Sequence, residues 1–183
     1  IEYHRDLYDI GLHGPDILFY YKALKSHPVN QQGHTVHENF ADTFFEHAVS
    51  VIEKAEDPTA ARVYIYGVIC HFALDSECHP YVEKIMQVGR VSHNEIEMEL
   101  DRMMLTEDYH DPLRYLTAKH IQPKMEYAEV IAPFFKDVTA EQIYKALKGM
   151  VFYHKLFLAP TSGKRKALFL GMKAVGKYDS VHD

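Results

Sequence analysis

Apolar residues recur along this chain at three- and four-residue intervals, and no stretch sustains the two-residue alternation of a half-buried strand. Residues 2–12 read as a short helix that Gly14-Pro15 interrupts. Proline suits the first helical position, where its missing N–H is not needed, so a new helix is expected from Asp16 to Leu24. Ser26 to Gly33 is polar, contains Pro28 and reads as loop. Thr35, followed three residues later by Glu38, has the form of a capping box. The helix it opens is carried by Phe40, Phe44, Val49 and Ile52 to about Ala55. Asp57-Pro58 starts the next helix, whose stretch Ala60 to Leu74 is apolar on almost every side and is expected to be buried. Pro80 disfavours helical geometry at His79, which is expected at or just past a helix end. Ser92 caps a helix to about Leu105, and two more helices are expected near 139–158 and 163–176. The fold class these elements predict is all-α, with residues 1–183 as a single-domain multi-helix bundle.

Composition changes this picture little, except in one residue type. A chain of 183 residues can bury most of its apolar surface without staples, and 47% hydrophobic with 25% charged residues is ordinary for a globular domain. The formal net charge of −6 disfavours loose nucleic-acid binding, which rewards clustered Lys and Arg. Cys70 and Cys78 stand eight residues apart, beyond disulfide reach on one helix, so both are expected as free thiols. No apolar run is long enough to span a membrane. The chain carries no initiator Met and no signal peptide and is expected to start inside a longer sequence, which leaves its localisation open; with no signal peptide or disulfide evident, a soluble cytoplasmic one is slightly favoured. Thirteen histidines, however, are many, and they point to metal.

Their spacing sharpens the point. His71 and Asp75 are four apart, on one helical face, where two side chains can grip one divalent ion. An Asp inside so apolar a segment needs a charged or hydrogen-bonded partner, and Zn²⁺ would be one. A hydrogen-bonded Asp beside a satisfied core His is the alternative. His79 lies two turns beyond His71, too far along the axis to share its ion, while Asp75 between them can bridge two ions or serve one. His93 and Glu97 repeat the four-residue spacing and would join His79 at a second ion. Upstream, Asp16 stands in the first turn after Gly14-Pro15, as a ligand or as an anion favoured at a helix N-terminus. His37 is the next candidate, with His34 as its alternative.

Taken in order, Asp16, a later His, His71-xxx-Asp75, His79 and His93-xxx-Glu97 resemble the bacterial zinc-dependent phospholipase C family, which shares its all-α fold with fungal single-strand-specific zinc nucleases. The resemblance covers about residues 10–105. It implies a metal site in a cleft between helices, with Asp16, His37, His71 and Asp75 on one zinc ion, Asp75 bridging, and His79, His93 and Glu97 on another. It also implies that Asp16 accepts the proton of the attacking water. The family's amino-terminal Trp ligand has no counterpart, since the chain has no Trp, and His4 and His13 lie too close to Asp16 to be its early His. His79 also follows Asp75 more closely than in the family. Two zinc ions are therefore the expectation, three if ligands upstream of residue 1 complete the set.

The function implied is a zinc-dependent phosphodiesterase of phospholipase C type, acting on a lipid or small-molecule phosphate ester. The alternatives are a nuclease or nucleotidase with the same metal cluster, or a catalytically degenerate metal-binding domain. Phe19, Tyr20 and Tyr21 can line a pocket for a quaternary ammonium group or belong to the core. The basic segment Gly163 to Lys177 can face anionic lipid as a peripheral membrane contact, or be a solvated helix face. His110-Asp111 precedes Pro112 and so falls in a turn, which argues against an HD-type phosphohydrolase.

Overall fold

The computed structural model describes residues 2–38, 41–89 and 91–174. All its regular elements are helical, as the periodicity predicts: α1 (Arg5–Gly11), α2 (Pro28–Glu38), α3 (Ala41–Lys54), α4 (Pro58–Val88), α5 (His93–Glu107), α6 (Met125–Ile131), α7 (Ala140–Phe157) and α8 (Ser162–Ala174), with short 3₁₀ pieces between them. The chain forms two compact units, residues 1–74 with 118–153 and residues 75–117 with 154–183. No described helix is long and apolar enough to cross a membrane.

The first unit is built on an apolar core from Leu7 and Ile10 of α1, Ile17 and Leu18, Tyr64 and Val68 of α4, and Ile143, Leu147 and Met150 of α7. Beside it, Phe44 and Phe45 of α3 pack their rings on Phe72. α1 and α4 meet backbone to backbone through Gly11 and Gly67. A Cβ on Gly67 would stand 2.8 Å from the Gly11 Cα and carbonyl carbon, so only glycine admits this approach. That contact sets the rotation of α4, and with it the direction of His71 one turn later.

Five local expectations are corrected. The segment Ser26–Gly33 is not loop: α2 starts at Pro28, because the His27 ring accepts the Val29 N–H at 3.2 Å while Asn30 Oδ1 accepts the His27 N–H at 2.9 Å. These reciprocal bonds do the work of a capping box with unusual residues. Thr35 then lies inside α2, its hydroxyl donating to the Gln31 carbonyl, and Phe40 lies outside the described residues. Asp16 stands in the 3₁₀ segment Gly14–Tyr20 rather than in an α-helix. Pro80 does not end a helix, since α4 runs 31 residues through it; Pro80 is exposed, and there a lost backbone bond can be replaced by water. Finally, α4 is not buried on every side. Tyr66, Ile69 and Leu74 are exposed, and the Asp75 side chain keeps 25% of its accessible surface, so its carboxylate meets no severe desolvation.

The second unit takes the rest of α4, then α5 and α8. Ser92 caps α5 as expected, accepting the Glu95 N–H while Glu95 accepts the Ser92 N–H at 2.6 Å. α8 buries no residue. Two of its cations hold the end of α7: the Lys164 ammonium donates to the Lys155 and Leu158 carbonyls and Arg165 to that of Ala159. Lys177 lies outside the described residues. His110 and Asp111 lie outside any helix, between the turns at 108–109 and 112–114, and Cys70 and Cys78 are free thiols.

Candidate metal centre

Asp16, His37 and His71 converge within the first unit. Each offers one ligand atom, and the three atoms lie within 4.8 Å of one another. Gly14 makes room for this. Its φ of +50° is the left-handed conformation open to glycine, and it leaves space for the His71 ring, whose Cγ and Nε2 would be 2.6 and 2.8 Å from any Cβ at position 14. The turn that follows carries Asp16 to the same place.

His37 Nδ1 lies 2.7 Å from the Gly33 carbonyl oxygen. A carbonyl only accepts, so Nδ1 donates, and Nε2 is left facing Asp16 Oδ1 at 3.1 Å. In the neutral ring Nε2 carries a lone pair, and two lone pairs at this distance require a cation between them, a proton or a metal ion. Anchoring the far ring nitrogen on a backbone carbonyl is how metal-binding histidines are oriented. His71 Nε2 is buried and has no hydrogen-bond partner among the described residues. A buried polar atom left so is costly, and a metal ligand bond would satisfy it. The His37 and His71 rings meet edge to face, 5.7 Å between centroids. His34, one turn before His37, packs on Phe19 instead, and Phe19 also stacks against His37.

The second group is His79, His93 and Glu97, whose ligand atoms again lie within 4.8 Å of one another. His93 is the first residue of α5, held in place by the Ser92–Glu95 cap, and Glu97 follows one turn later with Oε1 2.8 Å from His93 Nε2. The His79 ring meets the His93 ring edge to face at 4.9 Å. Asp75 Oδ1 lies 3.0 Å from His79 Nε2. The carboxyl of Asp101, a further turn along α5, is raised above its ordinary range by desolvation and then by the Glu97 charge.

Of the other aromatics, Tyr21 is core and Tyr20 packs on Tyr153. Burial and the Asp16 charge raise the Tyr20 phenol above its usual range. The Gly33 carbonyl that orients His37 carries no sequence signal, because any residue offers a carbonyl and only the helix register aims this one.

These are two imidazole–carboxylate sets in an all-helical protein, a donor chemistry suited to zinc. The family model for zinc-dependent phospholipase C matches residues 1–150, and the chain belongs to that family. No curated protein and no solved structure matched in the same comparisons.

Proposed function

We propose that the protein is a zinc-dependent hydrolase that releases the head group of phospholipids by phosphodiester cleavage. The observation that carries this reading is the buried, unpartnered His71 Nε2 beside the Asp16–His37 pair, in a chain of this family. Asp16, His37 and His71 would hold one zinc ion, and His79, His93 and Glu97, with Asp75 beside them, a second. Bound zinc supplies Lewis-acid chemistry, activating water and offsetting the charge of a phosphate ester.

The chain's own residues do the rest. The Gly33 carbonyl keeps the proton of His37 on Nδ1, so that Nε2 stays available as a ligand. Asp16 is the proton acceptor: one carboxylate oxygen faces His37, and with 42% of its side-chain surface exposed the other can reach an attacking water. The Ser92 cap holds His93 and Glu97 in one orientation on α5.

The test is zinc content per chain by plasma mass spectrometry of untagged protein, followed by head-group release from phosphatidylcholine vesicles. Two zinc equivalents with release that chelation abolishes support the reading. Zinc with turnover of single-stranded DNA or nucleotides and none of phospholipid would move the substrate to nucleic acid. Less than one equivalent after zinc addition would refute the site.

A further inference from the structure

The C-terminal half of α4 carries a second face that the metal groups do not use. Leu74, Cys78, Tyr81, Ile85 and Val88 follow one another at intervals of four, three, four and three, the seam of a two-stranded coiled coil. Leu74 is 67% exposed, Tyr81 74%, Ile85 42% and Val88 88%, an apolar stripe far above what isolated surface residues explain. Tyr81, Ile85 and Val88, with Lys84 and Gly89, line one shallow depression. His79 lies about 140° round the helix from the centre of this stripe and Asp75 about 100°, so covering it leaves His79 open, with Asp75 at its flank.

Charge selects the occupant and the direction. One flank of this seam carries Glu77 and Lys84, both exposed and of opposite sign, which meet across it in an antiparallel pair; the other carries Asp75, the buried Val82 and Gly89. When Leu74 meets Ile85 of a second copy and Cys78 meets its Tyr81, each Glu77 stands opposite the other copy's Lys84, twice by symmetry. Sliding by one heptad would bring Lys84 against Lys84. A parallel pair would set these charges against Val82 and Gly89, with nothing to gain. The stripe is complementary to itself in one register only.

We propose that α4 is the dimerisation helix of this protein, pairing antiparallel with a second copy of the chain through Leu74, Cys78, Tyr81 and Ile85. Sedimentation equilibrium of the full chain, over a dilution series from tens of micromolar downward, should show a species of twice 21.2 kDa. Tyr81→Glu should abolish it. Glu77→Lys and Lys84→Glu should each raise the dimer dissociation constant about tenfold, since symmetry doubles each new like-charge contact, and the double exchange should restore it. Bound zinc should be the same in dimer and variants. A chain that stays monomeric at the highest concentration overturns the proposal, whether lipid or another protein then covers the stripe. A dimer indifferent to these exchanges does so too, as does one that spontaneously links Cys78 to Cys78, which only the parallel arrangement permits.

Discussion

Gly14→Ala tests the site without removing a ligand. Position 14 has φ of +50°, where an L side chain costs about 1–2 kcal/mol. The new methyl would also press on the His71 ring, 2.6 Å from Cγ and 2.8 Å from Nε2, well inside the usual contact distance of about 3.5–4.0 Å. The ring must turn off its rotamer, for roughly another 0.5–1.5 kcal/mol. The sum, about 1.5–3.5 kcal/mol, corresponds to a fall in melting temperature of roughly 3–14 °C for a chain of this size. Scanning fluorimetry of the chelated protein reads that loss. The same measurement with zinc reads a second effect: with His71 displaced from Asp16 and His37, the stabilisation by zinc should shrink, and bound zinc should fall by about one equivalent. A variant that melts within about 1 °C of the parent and binds as much zinc would show that His71 does not pack on Gly14, and the first metal group would fall with it.

Other substitutions reach the remaining parts. His71→Ala and Asp75→Asn should each lose bound metal and melt lower, while Cys78→Ser should keep its full metal content; plasma mass spectrometry decides, and unchanged metal in the first two would sink the assignment. Gly67→Ala should destabilise by about 1–3 kcal/mol in chemical denaturation, because its methyl meets the Gly11 backbone; a loss below about 0.5 kcal/mol would show that α1 and α4 can separate freely. The Asp57 carboxyl, at the start of α4, is held below its usual range, first by the Ala60 N–H and also by the Thr59 N–H and His4. A depressed carboxyl stabilises the fold above its unfolded-state pKa and loses that contribution as pH falls through the folded value. Asp57→Asn keeps the cap but removes the titration, so melting curves below about pH 4 should fall less steeply than the parent's; superimposable acid profiles would contradict the assignment.

The sequence by itself determined what lies within a turn or two of chain. The 3.6-residue period made the fold all-α, Ser92 with Glu95 started α5, and the four-residue spacing of His93 and Glu97 put both on one face, since backbone geometry alone places such pairs. The same logic expects His71 and His79 to serve different ions, because two turns of one helix separate them. It misjudged Pro80, because the cost of a proline in a helix depends on whether water can reach the freed carbonyl, which is a property of exposure and not of order. It also took the apolar segment of α4 for a buried one, although burial depends on which faces find partners. Only tertiary structure decided that Asp16, His37 and His71 meet. Their convergence rests on a backbone-to-backbone approach at Gly11 and Gly67, on the left-handed turn at Gly14, and on a carbonyl at Gly33 that fixes the His37 tautomer. Those are long-range contacts of the backbone, and side-chain order along the chain does not encode where one helix lies against another.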